Sequence, residues 1–165
     1  MRAWKAFDSA LVHATEVLTV AIGALFTSFL CLGIVGRYIA DFSVSFVEAG
    51  ARYLLVWFFL LGAGLALRLK AHVGIEVLQR RLPRSAARVV VILAHLGALA
   101  FYAMVLSGTS QALSTSASTV EPSLGISAIW GMLSIPIGIG LLAYHQVYLL
   151  MADLFGDGDP PRSSE

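Results

Sequence analysis

Charge is what this sequence has least of. Asp, Glu, Lys and Arg make up 13% of its 165 residues, about half the usual quarter. The apolar set AVILMFWYC makes up 58%, where globular chains hold about 45–50% even with glycine counted in. So few charges cannot cover a water-facing surface, and the chain belongs in a bilayer. Eleven basic residues against ten acidic ones leave a net charge of +1, which excludes a nucleic-acid binder built on bulk positive charge. A single cysteine, Cys31, excludes an internal disulfide framework and a cysteine-rich metal site. A phosphate-binding glycine loop, a zinc-spaced His/Glu set and a nucleophile–base constellation are all missing. The chain is therefore not read as an enzyme, and no cofactor or metal is expected.

The gaps between charges give the architecture. Val17 to Gly36, Tyr53 to Leu67, Val89 to Val120 and Pro122 to Ala152 carry no Asp, Glu, Lys or Arg. A spanning helix needs about 20 predominantly apolar residues to cross roughly 30 Å of hydrocarbon. The second gap is short alone but borrows the mostly apolar residues 42–47, with Ser45-x-x-Glu48 as a capping box at its start. Four transmembrane helices are expected near 11–37, 45–69, 86–113 and 123–152, an all-α integral membrane domain over residues 1–155. The first apolar stretch exceeds a signal core and no small-x-small cleavage site follows it, so it reads as a retained helix. Residues 156–165, GDGDPPRSSE, read as a disordered acidic tail.

Lys and Arg set the expected orientation. Arg68, Lys70, Arg80, Arg81, Arg84 and Arg88 crowd the middle connection against one acid, Glu76. With Arg2, Lys5 and Arg162 they place nine of the eleven basic residues on one side, and only Arg37 and Arg52 on the other. The positive-inside rule puts both termini and the middle loop in the cytoplasm. Within that loop, Ile75, Leu78 and Leu82 follow helical spacing before Pro83. This predicts a short interfacial helix over 73–82 whose basic face meets anionic lipid heads. Trp4, Phe7 and Leu11 share a face and anchor the helix entry.

Several features bear on function. Glu48 and Arg52 stand four apart and can pair on one helical face; Leu55, Phe59, Gly62 and Ala66 continue that face. Gly62-x-x-x-Ala66 is a small-x-x-x-small step that lets two helices approach closely. Two readings of this stripe stand open, a docking face for another membrane protein and an intrachain contact. Arg37 ends the first helix, as an interfacial anchor or a contact with lipid or partner. His95 and His145 come to similar depth if their helices run antiparallel, as bis-His haem ligation requires; hydrogen bonds across helices are the other reading. The polar run 107–119 either lines a watery path or is a helix leaving the bilayer with its hydroxyls bonded to its own backbone. Pro136 interrupts the fourth span, and Gly131, Ser134 and Gly138 offer one tight-packing face. No carboxylate lies at the middle of any span, where coupled carriers commonly hold their ion sites. The residues describe an accessory or scaffold membrane subunit.

The stretch from Glu48 to Glu76 resembles the small membrane subunit of tripartite ATP-independent periplasmic (TRAP) transporters, the DctQ-like family. The likeness lies in Glu48 and Arg52 entering the second helix, Leu55-Val56-Trp57, the Gly62-Ala63 pair, and Lys70-Ala71-His72-Val73. Arg37-Tyr38, residues 122–126 (PSLGI) and residues 135–138 (IPIG) are similar as well. Ala49, where the family often has a second acid, and Ser127, where it often has proline, depart from the pattern. The resemblance implies a multi-pass protein of the bacterial inner membrane, in complex with a large multi-span permease subunit and a periplasmic substrate-binding protein. It implies sodium-driven uptake of an organic acid, with the large subunit moving the substrate. On it, Arg37, Glu48, Arg52, Phe59, Gly62 and Ala66 would face the large subunit or lipid. The cations at 68, 70, 80, 81, 84 and 88 would hold the assembly to membrane lipids on the cytoplasmic leaflet. The alternative reading is a redox membrane anchor with haem between His95 and His145.

Overall fold

The computed structural model describes residues 2–39, 45–68 and 83–155. The expected interfacial helix at 73–82, the cations Lys70, Arg80 and Arg81, and the tail at 156–165 lie outside these residues. So do the side chains of Trp4 and Phe7. The helices are α1 (Arg2–Tyr38), α2 (Ser45–Arg68), α3 (Arg84–Ser118), α4 (Ile129–Met132) and α5 (Ser134–Phe155). Two short strands, β1 (Val120–Glu121) and β2 (Ile126–Ser127), pair antiparallel between α3 and α4.

Four segments are long and apolar enough to cross a membrane: Asp8–Tyr38, Ser45–Arg68, Ala86–Ser118 and Ile129–Met151. This is the four-span, all-α architecture expected from the charge gaps. At 1.5 Å per residue α2 is about 36 Å long, close to one bilayer core, whereas α1 and α3 each exceed about 50 Å. Both outrun the expected limits of 11–37 and 86–113.

The fourth span begins at Ile129 rather than near 123. Residues 120–127 form a hairpin instead, because Pro122 and Gly125 supply turn chemistry. Glu121 C=O accepts from the N–H groups of Leu124 and Gly125 at 3.2 and 2.8 Å. Gly125 takes a positive φ of 66°, which side chains with a Cβ resist. Pro136 acts one step later. It lacks the N–H that would reach back to Met132, and the helix breaks at Leu133 between α4 and α5. The proline thus sits in the first turn of α5, where no donor is needed.

The helices pack in the spatial order α1–α2–α5–α3. The inner pair, α2 and α5, is the more buried. Each outer helix attaches by a single stripe. On α1 the sheltered positions Asp8, Val12, Thr15, Thr19, Ile22, Phe26, Phe29 and Gly33 recur alternately every four and three residues. On α3 Val91, His95, Ala98, Tyr102, Val105 and Thr109 do the same. That 3.5-residue period is the seam of knobs-into-holes packing. The α2–α5 contact is closer still. A Cβ at Gly138 would sit 2.5 Å from Leu60 Cβ, and one at Gly131 would meet the Tyr53 ring at 2.8 Å. The face of Gly131, Ser134 and Gly138 therefore carries α4 and α5 onto α2, with Ser134 fully buried. Leu67, Ile139, Leu142 and Leu149 form the core, flanked by Leu60, Tyr102, Val105, Leu106 and Ile135.

Candidate functional site

Polar groups gather at the two ends of the bundle. The chain's hydroxyl-rich stretch does not contribute to either cluster. From Ser107 to Thr119 its hydroxyls bond back to carbonyls three or four residues earlier, as Thr109 does to Val105 at 2.8 Å and Ser116 to Ala112 at 2.8 Å. A helix can carry such a run out of the hydrocarbon because each hydroxyl is satisfied locally. A shallow, open concavity lies beside it, lined by Gly108, Gln111, Ala112, Thr115, Ser116 and Met132.

At the end where α1 begins and α2 stops, three helices converge on one carboxylate. Arg68, in the last turn of α2, donates through Nη2 to Asp8 Oδ2 of α1. Tyr144 of α5 donates its hydroxyl to Asp8 Oδ1 at 3.1 Å. The Arg68 guanidinium also lies over the Tyr148 ring, 3.9 Å from its centroid, a cation–π contact. This pair is largely removed from solvent, with side-chain exposures of 19% for Arg68 and 8% for Asp8. Arg68, expected among the surface cations that hold the leaflet, is thus turned into the protein. The reason is geometric: Asp8 lies on the buried seam of α1 at the level Arg68 can reach. Asp8, Tyr144 and Tyr148 were not evident as site residues. The signal that would have found Asp8 is an acid at a seam position, seven residues before Thr15.

Three consecutive residues of α5 extend this clasp to every other long helix. Tyr144 reaches α1. His145, fully buried, packs its ring against Gly64 of α2, where a Cβ would lie 3.6 Å from His145 Cδ2. Gln146 pairs through Nε2 with His95 Nδ1 of α3 at 2.8 Å. The two histidines proposed as a haem pair are thus engaged with different neighbours, and His95 makes the cross-helix hydrogen bond that was its other reading.

At the opposite end the expected Glu48–Arg52 pair does not form. Glu48 Oε1 accepts instead from Arg37 Nη2, tying the end of α1 to the start of α2. Arg52 Nη2 lies 3.9 Å from Glu121 Oε1 in the hairpin. The cause is simple: each ion finds an opposite charge on a neighbouring element, and Arg37 is presented where α1 ends. Glu48 and Arg68 stand twenty residues apart on α2, about 30 Å. The two polar clusters are therefore separated by roughly the thickness of the hydrocarbon.

The exposed line on α2 is also rotated from the expected stripe. Gly62 turns toward α1, its Cβ position 3.9 Å from Thr19 Cγ2, and Leu55 is partly covered. The outward line is Arg52, Val56, Phe59, Ala63 and Ala66, all exposed, with Phe59 at 63%. Arg88 is exposed in the first turns of α3; Arg84 opens that helix, its side chain outside the described set.

The model of the family described as "Tripartite ATP-independent periplasmic transporters, DctQ component" matches residues 26–156. Two Haemophilus influenzae proteins, both provisionally named TRAP transporter small permease protein, are similar to this chain. One is 39% identical over 70 residues, covering 42% of this chain and 44% of that relative. The other is 27% identical over 118 residues, covering 72% of each. The match thus spans under half the length of the first relative and nearly three quarters of the second. With four helices long and apolar enough to cross a membrane and a family match running from the last third of α1 to the end of α5, the chain belongs to the DctQ component family of tripartite ATP-independent periplasmic transporters.

Proposed function

We propose that this subunit is the static membrane partner of a large permease in sodium-driven, binding-protein-dependent uptake of an organic acid. The large subunit carries the substrate and the coupling ion; this chain lends it a fixed flank. The single observation that carries the reading is the outward line Arg52–Val56–Phe59–Ala63–Ala66 on α2. It sets a cation near one interface above an aromatic ring and two small residues that admit a neighbouring helix. The membership in the DctQ family supports it, as does a sequence with no carboxylate at mid-span. Both termini and the loop after α2 face the cytoplasm on this reading, which places Arg37, Glu48, Arg52 and Glu121 on the periplasmic side. There they lie within reach of a soluble binding protein. On this reading the exposed Arg88 and the cations Lys70, Arg80, Arg81 and Arg84, but not the inward-turned Arg68, meet the anionic leaflet.

Co-expression with the cognate large subunit tests the proposal. Cysteines at Val56, Phe59 or Ala63 should form cross-links to the large subunit, and cysteines on the exposed face of α3, such as Met104, should not. Cross-linking from α3 alone, with none from α2, would assign the flank to the other edge. Uptake in cells that lack this chain, equal to that of the intact system, would remove the scaffold role.

A further inference from the structure

The clasp around Asp8 leaves polar atoms unmatched. Among the described residues, Arg68 Nη1 and both ring nitrogens of His145 are buried with no hydrogen-bond partner. A buried donor or acceptor left bare is costly, and three such atoms in one small region call for a common explanation. They lie among polar groups. The guanidinium of Arg68 binds Asp8 through its other nitrogen. The Tyr144 ring meets the His145 ring edge-on with centroids 5.4 Å apart. His145 packs on Gly64, one turn before Arg68 on α2, and Tyr148, whose ring Arg68 covers, stands one turn after His145 on α5. The region is also one side chain from the interface, because Arg68 ends α2 and keeps 19% of its side chain exposed.

We propose that this cluster is a structural water site, in which bound water accepts from Arg68 Nη1 and bridges to His145, completing the clasp between α1, α2 and α5. Water suits the chemistry better than an ion. The Asp8–Arg68 pair is already neutral, so neither an anion nor a cation gains a net partner. A water molecule can accept from the guanidinium and still donate to one imidazole nitrogen. It needs two to four polar partners, and the cluster offers them. The site is independent of the proposed docking on α2, so its failure leaves that reading untouched.

Histidine-selective 15N NMR of the full chain in nanodiscs reads the site directly. The expected result is a His145 ring signal with the shift of a hydrogen-bonded imidazole and an exchange peak to water. That peak should weaken in Arg68→Met. A ring with both nitrogens showing the shifts of non-bonded imidazole, and no water exchange peak, would overturn the proposal. Thermal unfolding supplies a second measurement whose sign decides. If water links His145 to Arg68, His145→Leu lowers the unfolding temperature by roughly 5 °C, and His145→Gln recovers part of the loss. If the ring is dry, His145→Leu removes two bare polar atoms and raises the unfolding temperature. That outcome also overturns the site.

Discussion

The hydroxyl of Tyr144 donates to the same carboxylate that Arg68 holds through its other oxygen, so Asp8 bridges the first helix to both the second and the last. Removing one partner from such a buried group exposes the others. Asp8→Asn should lower stability by about 3 kcal/mol, since it strands the Arg68 charge. Tyr144→Phe removes one hydrogen bond to a charged group and should cost about 1–2 kcal/mol. Thermal unfolding in detergent ranks the two; equal losses would mean that Asp8 is not the hub.

Close approach of α2 and α5 gives a second, steric prediction. Gly138→Ala should destabilise by about 1–3 kcal/mol through overpacking, because the new methyl meets Leu60 Cβ at 2.5 Å. Leu60→Ala keeps that Cβ and should give little relief. At Gly23 the obstruction is the rim of the Phe58 ring, 2.7 Å away, so Gly23→Ala should be relieved by Phe58→Leu. Rescue at both sites, or at neither, would contradict this difference.

Exposure separates the charges at the opposite end from the Asp8 cluster. The Arg37 and Glu48 side chains are 59% and 48% exposed, and exposed pairs contribute about 0–1 kcal/mol. Glu48→Gln should therefore shift stability by less than about 1 kcal/mol. The double variant of Glu48 and Arg52 should fold normally yet co-purify less well with the large subunit. Normal recovery of the complex from that double variant would limit these ions to an intrachain role.

Small residues on the outward line of α2 make a further separation. Ala63→Trp and Ala66→Trp add bulk to an exposed surface, so the isolated subunit should unfold at an unchanged temperature. Their complex with the large subunit should be weakened tenfold or more. If unfolding shifts and association does not, the two positions lie within the chain's own packing.

Much of this fold is legible in the sequence because charge is so scarce. Four gaps between ions mark four spans, since a bilayer core excludes unpaired charge wherever it is crossed. The satisfied hydroxyls of α3 also follow from local rules, as the partner of each lies one turn back. Pairing between distant elements is not local, and there the residues mislead. Glu48 and Arg52 are ideally spaced for each other on a helix, but Arg37 and Glu121 compete from elements that only the tertiary arrangement brings near. Arg68 belongs by position to a basic loop and by packing to Asp8, sixty residues earlier. The hairpin at 120–127 was signalled by Pro122 and Gly125, which the continuous apolar character of the segment masked.

Because the long helices follow one another in space as α1, α2, α5 and α3, the described residues close no ring around a central axis. A ring would need α1 to meet α3, and each instead turns most of its circumference outward. The described spans therefore form an open row, with α1 and α3 at its two edges. On the proposed reading, a solute carried with this protein's help travels beside that row, along a wall that another polypeptide completes.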